Sequence, residues 1–215
     1  GTVAPTGVEL ERFAKSRLAE RQGEDGAGGA YTLGYAGNLA PYQGIDLLLL
    51  AAKKVLDVRR DVRLVVATGS PTEKWEAEAR RLGIGAHVEF ANPDLRALPG
   101  VLATFDVALN PRPRCDGIPY KLLNYMAAGK PIVSFHGSAR GVREGALLAV
   151  PGEDAEAFAA AVLRLLAHPD MMRCLGERAL RAAAEDHSWE RTAERVERVY
   201  MQLLGRTIKA EGISS

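Results

Sequence analysis

Apolar residues in this chain recur with two periods, and the points where the period changes outline its elements. Near-continuous, β-branched runs at Tyr31–Ala36, Val62–Ala67, His87–Phe90, Phe105–Leu109, Pro131–Phe135 and Leu147–Val150 read as strands buried on both faces. Longer amphipathic stretches lie between them, the clearest at Ile45–Leu56, where Ile45, Leu48, Leu49, Ala52, Val55 and Leu56 recur at helical spacing. Strands that alternate with helices predict an α/β fold: a Rossmann-like parallel sheet of about six strands with helices on both faces. Extra C-terminal helices then follow without strands, at Ala155–Ala167, Asp170–Ala184 and Trp189–Leu204. In the last of these Trp189, Ala193, Val196, Val199, Tyr200, Leu203 and Leu204 share a face, and Ser188 is placed as its N-cap.

The ends carry no such pattern. Residues 20–30, ERQGEDGAGGA, are polar and Gly-rich and read as a mobile loop. Their GAGG is not a dinucleotide fingerprint, because it precedes a strand instead of joining a strand to a helix. The tail from Arg206 has no helical apolar pattern and is expected to fray, which leaves one domain over residues 1–205.

Composition narrows the function more than the fold. A chain of 215 residues that is 47% apolar and 26% charged is long enough for one full core. Its formal net charge of +1 gives no reason to expect nucleic-acid binding, so any anion site must be local. No apolar run reaches the roughly 20 residues a membrane-spanning helix needs, and no signal peptide is visible. Two cysteines, Cys115 and Cys174, fit no metal spacing and read as reduced thiols of a cytoplasmic protein. The chain opens on Gly1 instead of Met, which reads as a piece of a longer protein.

Ligands of open parallel sheets bind beyond the carboxyl ends of the strands. That rule selects the loops Gly37–Gly44, Thr68–Ser70, Ala91–Pro93, Asn110–Gly117 and His136–Gly141. The stretch CDGIPYKLLNYMAAGKPIVS, residues 115–134, stands out among them. Pro119 reads as its first helical residue, which leaves the amides around Tyr120 and Lys121 free at the crest. Ile118, Leu122, Leu123, Met126 and Ala127 fall on one half of that helix, and Tyr120, Lys121, Asn124 and Tyr125 on the other. A lysine at the positive end of a helix is disfavoured unless an anion binds there. The alternative is that Asp116 folds back to cap those amides. Arg112 and Arg114 follow the preceding strand, and guanidinium groups suit phosphate. His136 has a crest position but no identified partner. No Asp-x-Asp pair, His or Cys cluster, P-loop or Gly-x-Ser-x-Gly elbow occurs, so no protein-held metal is expected.

At these residues the chain resembles the C-terminal, donor-binding domain of GT-B glycosyltransferases, in the group 1, family 4 class of retaining enzymes. APTGVELERF is similar to an interdomain segment written P-N-G-V-D-x-x-x-F, and YAGNLAPYQGIDLLLLAA to G-R-L-x-x-x-K-G-x-D-x-L-I-x-A. VRLVVATGS resembles the following strand and Gly turn, and DGIPYKLLNYMAAGKPIV the E-x7-E region with its A-x-G-x-P-V-V. LLAVPGEDAEAFAAAVLRLL and SWERTAERVERVY resemble the later segments.

The resemblance implies one half of a GT-B architecture, with residues 1–30 an interdomain segment and residues 189–204 a closing helix. It also implies a nucleoside diphosphate sugar as co-substrate, no cofactor, no essential metal, and a missing N-terminal domain that binds the acceptor and decides any peripheral membrane contact. Three positions depart from the pattern. The family's diphosphate-binding Arg and Lys fall on Asn38 and Gln43, and its two glutamates on Asp116 and Asn124. Each lost charge-assisted contact is typically worth about 1.5 to 3 kcal/mol.

Lys121 and Asp116 are therefore the candidate catalytic residues. Gly37, Asn38, Gln43, Arg112, Arg114, Gly117, Ile118, Pro119, Tyr120 and Asn124 are the candidate donor contacts, and Asn92 lies near the base. The chain alone is expected to bind nucleotide and to transfer nothing appreciable. Two other classes share these residues: a degenerate, non-catalytic nucleotide-binding or scaffold domain, which Asn38, Gln43 and Asn124 favour, and a nucleotide-sugar epimerase of the same architecture.

Overall fold

A computed structural model describes residues 7–14 and 30–211, with Arg195 and residues 202–211 traced through their backbone. The expected mobile loop at residues 20–30 lies, except for Ala30, outside the described residues, as does most of the interdomain segment.

Six parallel strands form one sheet in the order β3-β2-β1-β4-β5-β6. They are β1 (Tyr31–Ala36), β2 (Val62–Ala67), β3 (Val88–Ala91), β4 (Val107–Asn110), β5 (Ile132–Phe135) and β6 (Leu148–Val150). The later four differ from the expected bounds by one or two residues. The helices are α1 (Ile45–Val58), α2 (Glu73–Arg81), α3 (Leu98–Ala103), α4 (Tyr120–Ala127), α5 (Ala155–Leu166), α6 (Pro169–Asp186) and α7 (Trp189–Glu211). α7 continues past the Leu204 at which the apolar pattern was expected to stop. The Ser188 hydroxyl accepts from the Arg191 amide at 3.3 Å, as the N-cap reading requires.

Alternation along the strands divides the core into two layers. Leu33 and Tyr35 of β1 join α1, α2 and α5 on one face, where Phe135 and Phe158 pack with ring centroids 4.8 Å apart. Ala36 of β1 joins Phe105, α4 and the small residues Ala179, Ala182 and Ala183 of α6 on the other. Among the described residues no helix is long and apolar enough to cross a membrane.

The helices differ in how they end. α5 is capped by Asp154, whose carboxylate accepts from the amides of Glu156 at 3.0 Å and Ala157 at 3.1 Å. The carboxyl end of α4 closes in a Schellman turn: Gly129 takes φ 70°, its amide bonds the Met126 carbonyl, and the Lys130 amide bonds the Tyr125 carbonyl. The amino end of α4 has no side-chain cap.

Candidate functional site

β1 lies between β2 and β4, so the connections leaving β1 and β4 run to opposite sides of the sheet and part from each other. Ligands of doubly wound sheets bind at this switch point. A cleft of about 430 Å³ opens there. The two connections also touch behind it. Gly44, at φ 71°, ends a short 3₁₀ turn, and a Cβ on it would come within 2.3 Å of the Pro111 carbonyl oxygen. Only glycine meets both conditions.

Of the residues singled out in the sequence, Gly37, Asn38, Gln43, Arg112, Pro119, Tyr120, Lys121 and Asn124 line the cleft. Pro119 is not the first helical residue, however. Its ψ of 131° is extended, so it is the N-cap residue and α4 starts at Tyr120. The first amides of α4 therefore reach the cleft from a helix end that, among the described residues, neither Asp116 nor any other side chain caps.

Lys121 enters the cleft wall from this first turn. Its Nζ donates to the Tyr35 hydroxyl at 2.9 Å and to Gln43 Oε1 at 2.5 Å, and lies 4.2 Å from the centroid of the Tyr35 ring. The Tyr35 hydroxyl in turn donates to the Asn38 carbonyl at 2.5 Å, and Gln43 Nε2 to Asn38 Oδ1 at 3.1 Å. Burial and the neighbouring Arg112 bring the lysine down to a pKa of about 7. Arg112 stacks over Tyr42, 4.8 Å from the ring centroid, with its Nε bonded to the Arg114 carbonyl.

The helical half-and-half division of α4 is corrected at two positions. Tyr125 was placed with the outward residues, yet it is fully buried; its hydroxyl accepts from the Ala36 amide at 2.7 Å and donates to the Ala36 carbonyl at 3.3 Å. Asn124 is only 8% exposed, and its Oδ1, at the cleft, has no hydrogen-bond partner. The crest of β1 covers this side of the helix, which periodicity within α4 does not reveal.

The remaining candidates lie elsewhere. Arg114 turns away to Glu153, 3.2 Å off, on the outer side of the β1–α1 connection. Asp116 and Gly117 are exposed and do not line the cleft, and Ile118 packs into the core beside Gly141. Asn92 is exposed next to Gly69, on which a Cβ would lie 3.5 Å from Asn92 Oδ1. His136 is exposed in a 3₁₀ turn away from the cleft. Among the described residues no group of three or more His, Cys, Asp or Glu side chains is placed to hold a metal ion.

The loops selected at Gly37–Gly44 and Thr68–Ser70 bring Tyr42, Thr68 and Gly69 to the cleft, whereas sequence reasoning missed Tyr35 beside it and Leu98 and Leu102 of its far wall. A tyrosine one residue from the end of a switch-point strand was the available signal for Tyr35. Nothing in the spacing marks Leu98 and Leu102.

The family model described as glycosyl transferases group 1 matches residues 30–168. The MMP alpha-(1->4)-mannosyltransferase of Mycolicibacterium hassiacum is 31% identical over 221 aligned residues, covering 95% of this chain and 49% of that protein. The chain thus spans about half the length of the curated relatives it matches. Among solved structures, Anabaena HepE in complex with UDP superposes with a TM-score of 0.78 at 14% identity, over 91% of this chain and 56% of that one. The C-terminal domain of the group 1 family protein LpcC from Francisella tularensis gives 0.71 at 16% identity, over 85% of this chain and 100% of that one. At such identities the shared property is the GT-B half-domain fold.

Proposed function

The chain belongs to the group 1 glycosyl transferases, and from that premise we propose that it is the donor-binding half of such an enzyme. It holds a nucleoside diphosphate sugar, whose sugar passes to an acceptor carried by a partner domain, with retention of configuration and without a protein-held metal. One observation carries this reading: an uncapped helix end opens into the switch-point cleft together with Lys121, Arg112 and the unpartnered Asn124 Oδ1. Free amides and cations suit a diphosphate, and a buried amide oxygen without a donor suits a sugar or ribose hydroxyl. HepE, which has this fold, was solved with UDP, and the LpcC fragment of this fold is a C-terminal domain; both support the assignment.

The chemical task is leaving-group stabilisation. As the glycosidic bond breaks, negative charge grows on the diphosphate, and donors fixed around it favour that state over the ground state. The α4 amides need no reorganisation to do this, and Lys121 and Arg112 add charge at the same place. Titration calorimetry with UDP, GDP and ADP tests the reading. At least one diphosphate binds if it is correct, and no measurable heat with any of them overturns it in favour of a scaffold domain.

A further inference from the structure

The surroundings of Lys121 are chemically lopsided. Several exposed cations of this protein meet carboxylates, as Arg143 meets Glu185 and Asp186. Lys121 bonds Tyr35 from β1 and Gln43 from the β1–α1 connection, Tyr42 of that connection lines the same cleft, and Arg112 and Cys115 of the β4–α4 connection act on it electrostatically. Tyr120 and Tyr125 of its own helix line the same cleft, and Asp94 stands on the far wall. Among the described residues no carboxylate is within ion-pair distance of Nζ.

The direction of the hydrogen bonds is fixed by Asn38. Tyr35 gives its proton to the Asn38 carbonyl, and Gln43 gives an amide proton to Asn38 Oδ1, so both present acceptors to the lysine. A neutral amine has two N–H bonds, and those two acceptors satisfy both. An ammonium has a third N–H, for which the protein supplies no acceptor and an anion in the cleft would.

We propose that the cleft takes up its anion together with a proton from solvent, that Lys121 is the group protonated, and that Tyr35 is the positioning residue that holds the amine for it. The proposal rests on the reading of the cleft as a diphosphate site and adds how that site is regulated. The sign follows from the free state. Burial and Arg112 keep the amine near a pKa of about 7, and a bound diphosphate raises it by supplying counter-charge. Between those two values binding consumes a proton, so affinity falls as pH rises above about 7.

The test is calorimetry on the full-length protein at pH about 8, in two buffers of different ionisation enthalpy. UDP-glucose and GDP-mannose serve as probes, because their diester phosphates do not titrate in this range. The wild type takes up about one proton per site. Lys121→Met takes up none and binds about tenfold more weakly. Tyr35→Phe binds about fivefold more weakly, and the Tyr35→Phe/Lys121→Met double variant no more weakly than Lys121→Met alone. Binding without proton uptake, or uptake that survives in Lys121→Met, overturns the proposal while leaving the site in place. Additive losses in the double variant overturn the role of Tyr35. If Tyr35→Phe does not fold, Gln43→Met removes the other acceptor and serves in the same cycle. Failure of both probes, and of ADP-glucose, to bind at any pH overturns both the site and the proposal.

Discussion

Each end of α4 carries a lysine, half-buried at the amino end and buried beyond the carboxyl end, and the two have opposite surroundings. Beyond the carboxyl end, Lys130 is 5% exposed; its Nζ donates at 2.7 Å to the carbonyl of Ala103, the last residue of α3. There a cation meets the negative end of a helix and fills an acceptor that the helix leaves open. At the amino end, Lys121 faces the positive pole of its own helix and the charge of Arg112. Burial lowers both to about 7, so depressed basicity alone does not separate them. What separates them is the helix end. The Schellman turn closes one, and nothing caps the other. The buried lysine at the closed, electronegative terminus belongs to the scaffold, and we propose that the half-buried one at the open, electropositive terminus is set for a ligand.

The largest effects should divide these roles. Lys130→Ala removes a buried stem and the donor to Ala103, and should cost about 2 to 3 kcal/mol in denaturant unfolding. Nucleotide affinity should not change. Lys121→Ala should cost about 1 kcal/mol of stability or less, because the acceptors it leaves face the cleft. Equal stability losses at the two positions would break the comparison.

A smaller effect concerns pH. Both amines have a folded pKa of about 7 against 10.5 for the free side chain, so the unfolded chain binds more protons between those values. Stability should therefore climb as pH rises through that window and level off below about 7, with at most about 1.4 kcal/mol per pH unit from each lysine. Denaturation curves across the window should flatten in part for Lys130→Met. Saturating sugar nucleotide should flatten the remainder, since it restores charge at Lys121 alone. The smallest effect is at Arg114, whose exposed pair with Glu153 points away from the cleft. Arg114→Ala should change nucleotide affinity by less than about twofold, and a tenfold loss would return that arginine to the site.

The sheet was legible because both of its faces are buried, and a strand covered on both sides announces itself as an unbroken apolar run. β1 and β2 fall where the apolar residues place them. The division of α4 was only half legible. Periodicity assigned Leu122, Leu123 and Met126 to the core, but it could not tell that the crest of β1 would lie across Tyr125. Within the cleft, residues on the first turn of α4 were found because a lysine near a helix start violates a local preference. Tyr35 raises no such conflict, and its role depends on a partner 86 positions away. Asp116, Gly117 and Arg114 lie outside the cleft for a related reason: adjacency in sequence to Pro119 says nothing about which way a loop turns.

Gly44, pressed against the Pro111 carbonyl, pins two connections to each other without using a side chain. That contact does not involve the side chains of residues 38, 43 and 121. Charge can be traded among those three side chains, by drift or by design, while the glycine contact between the connections is kept.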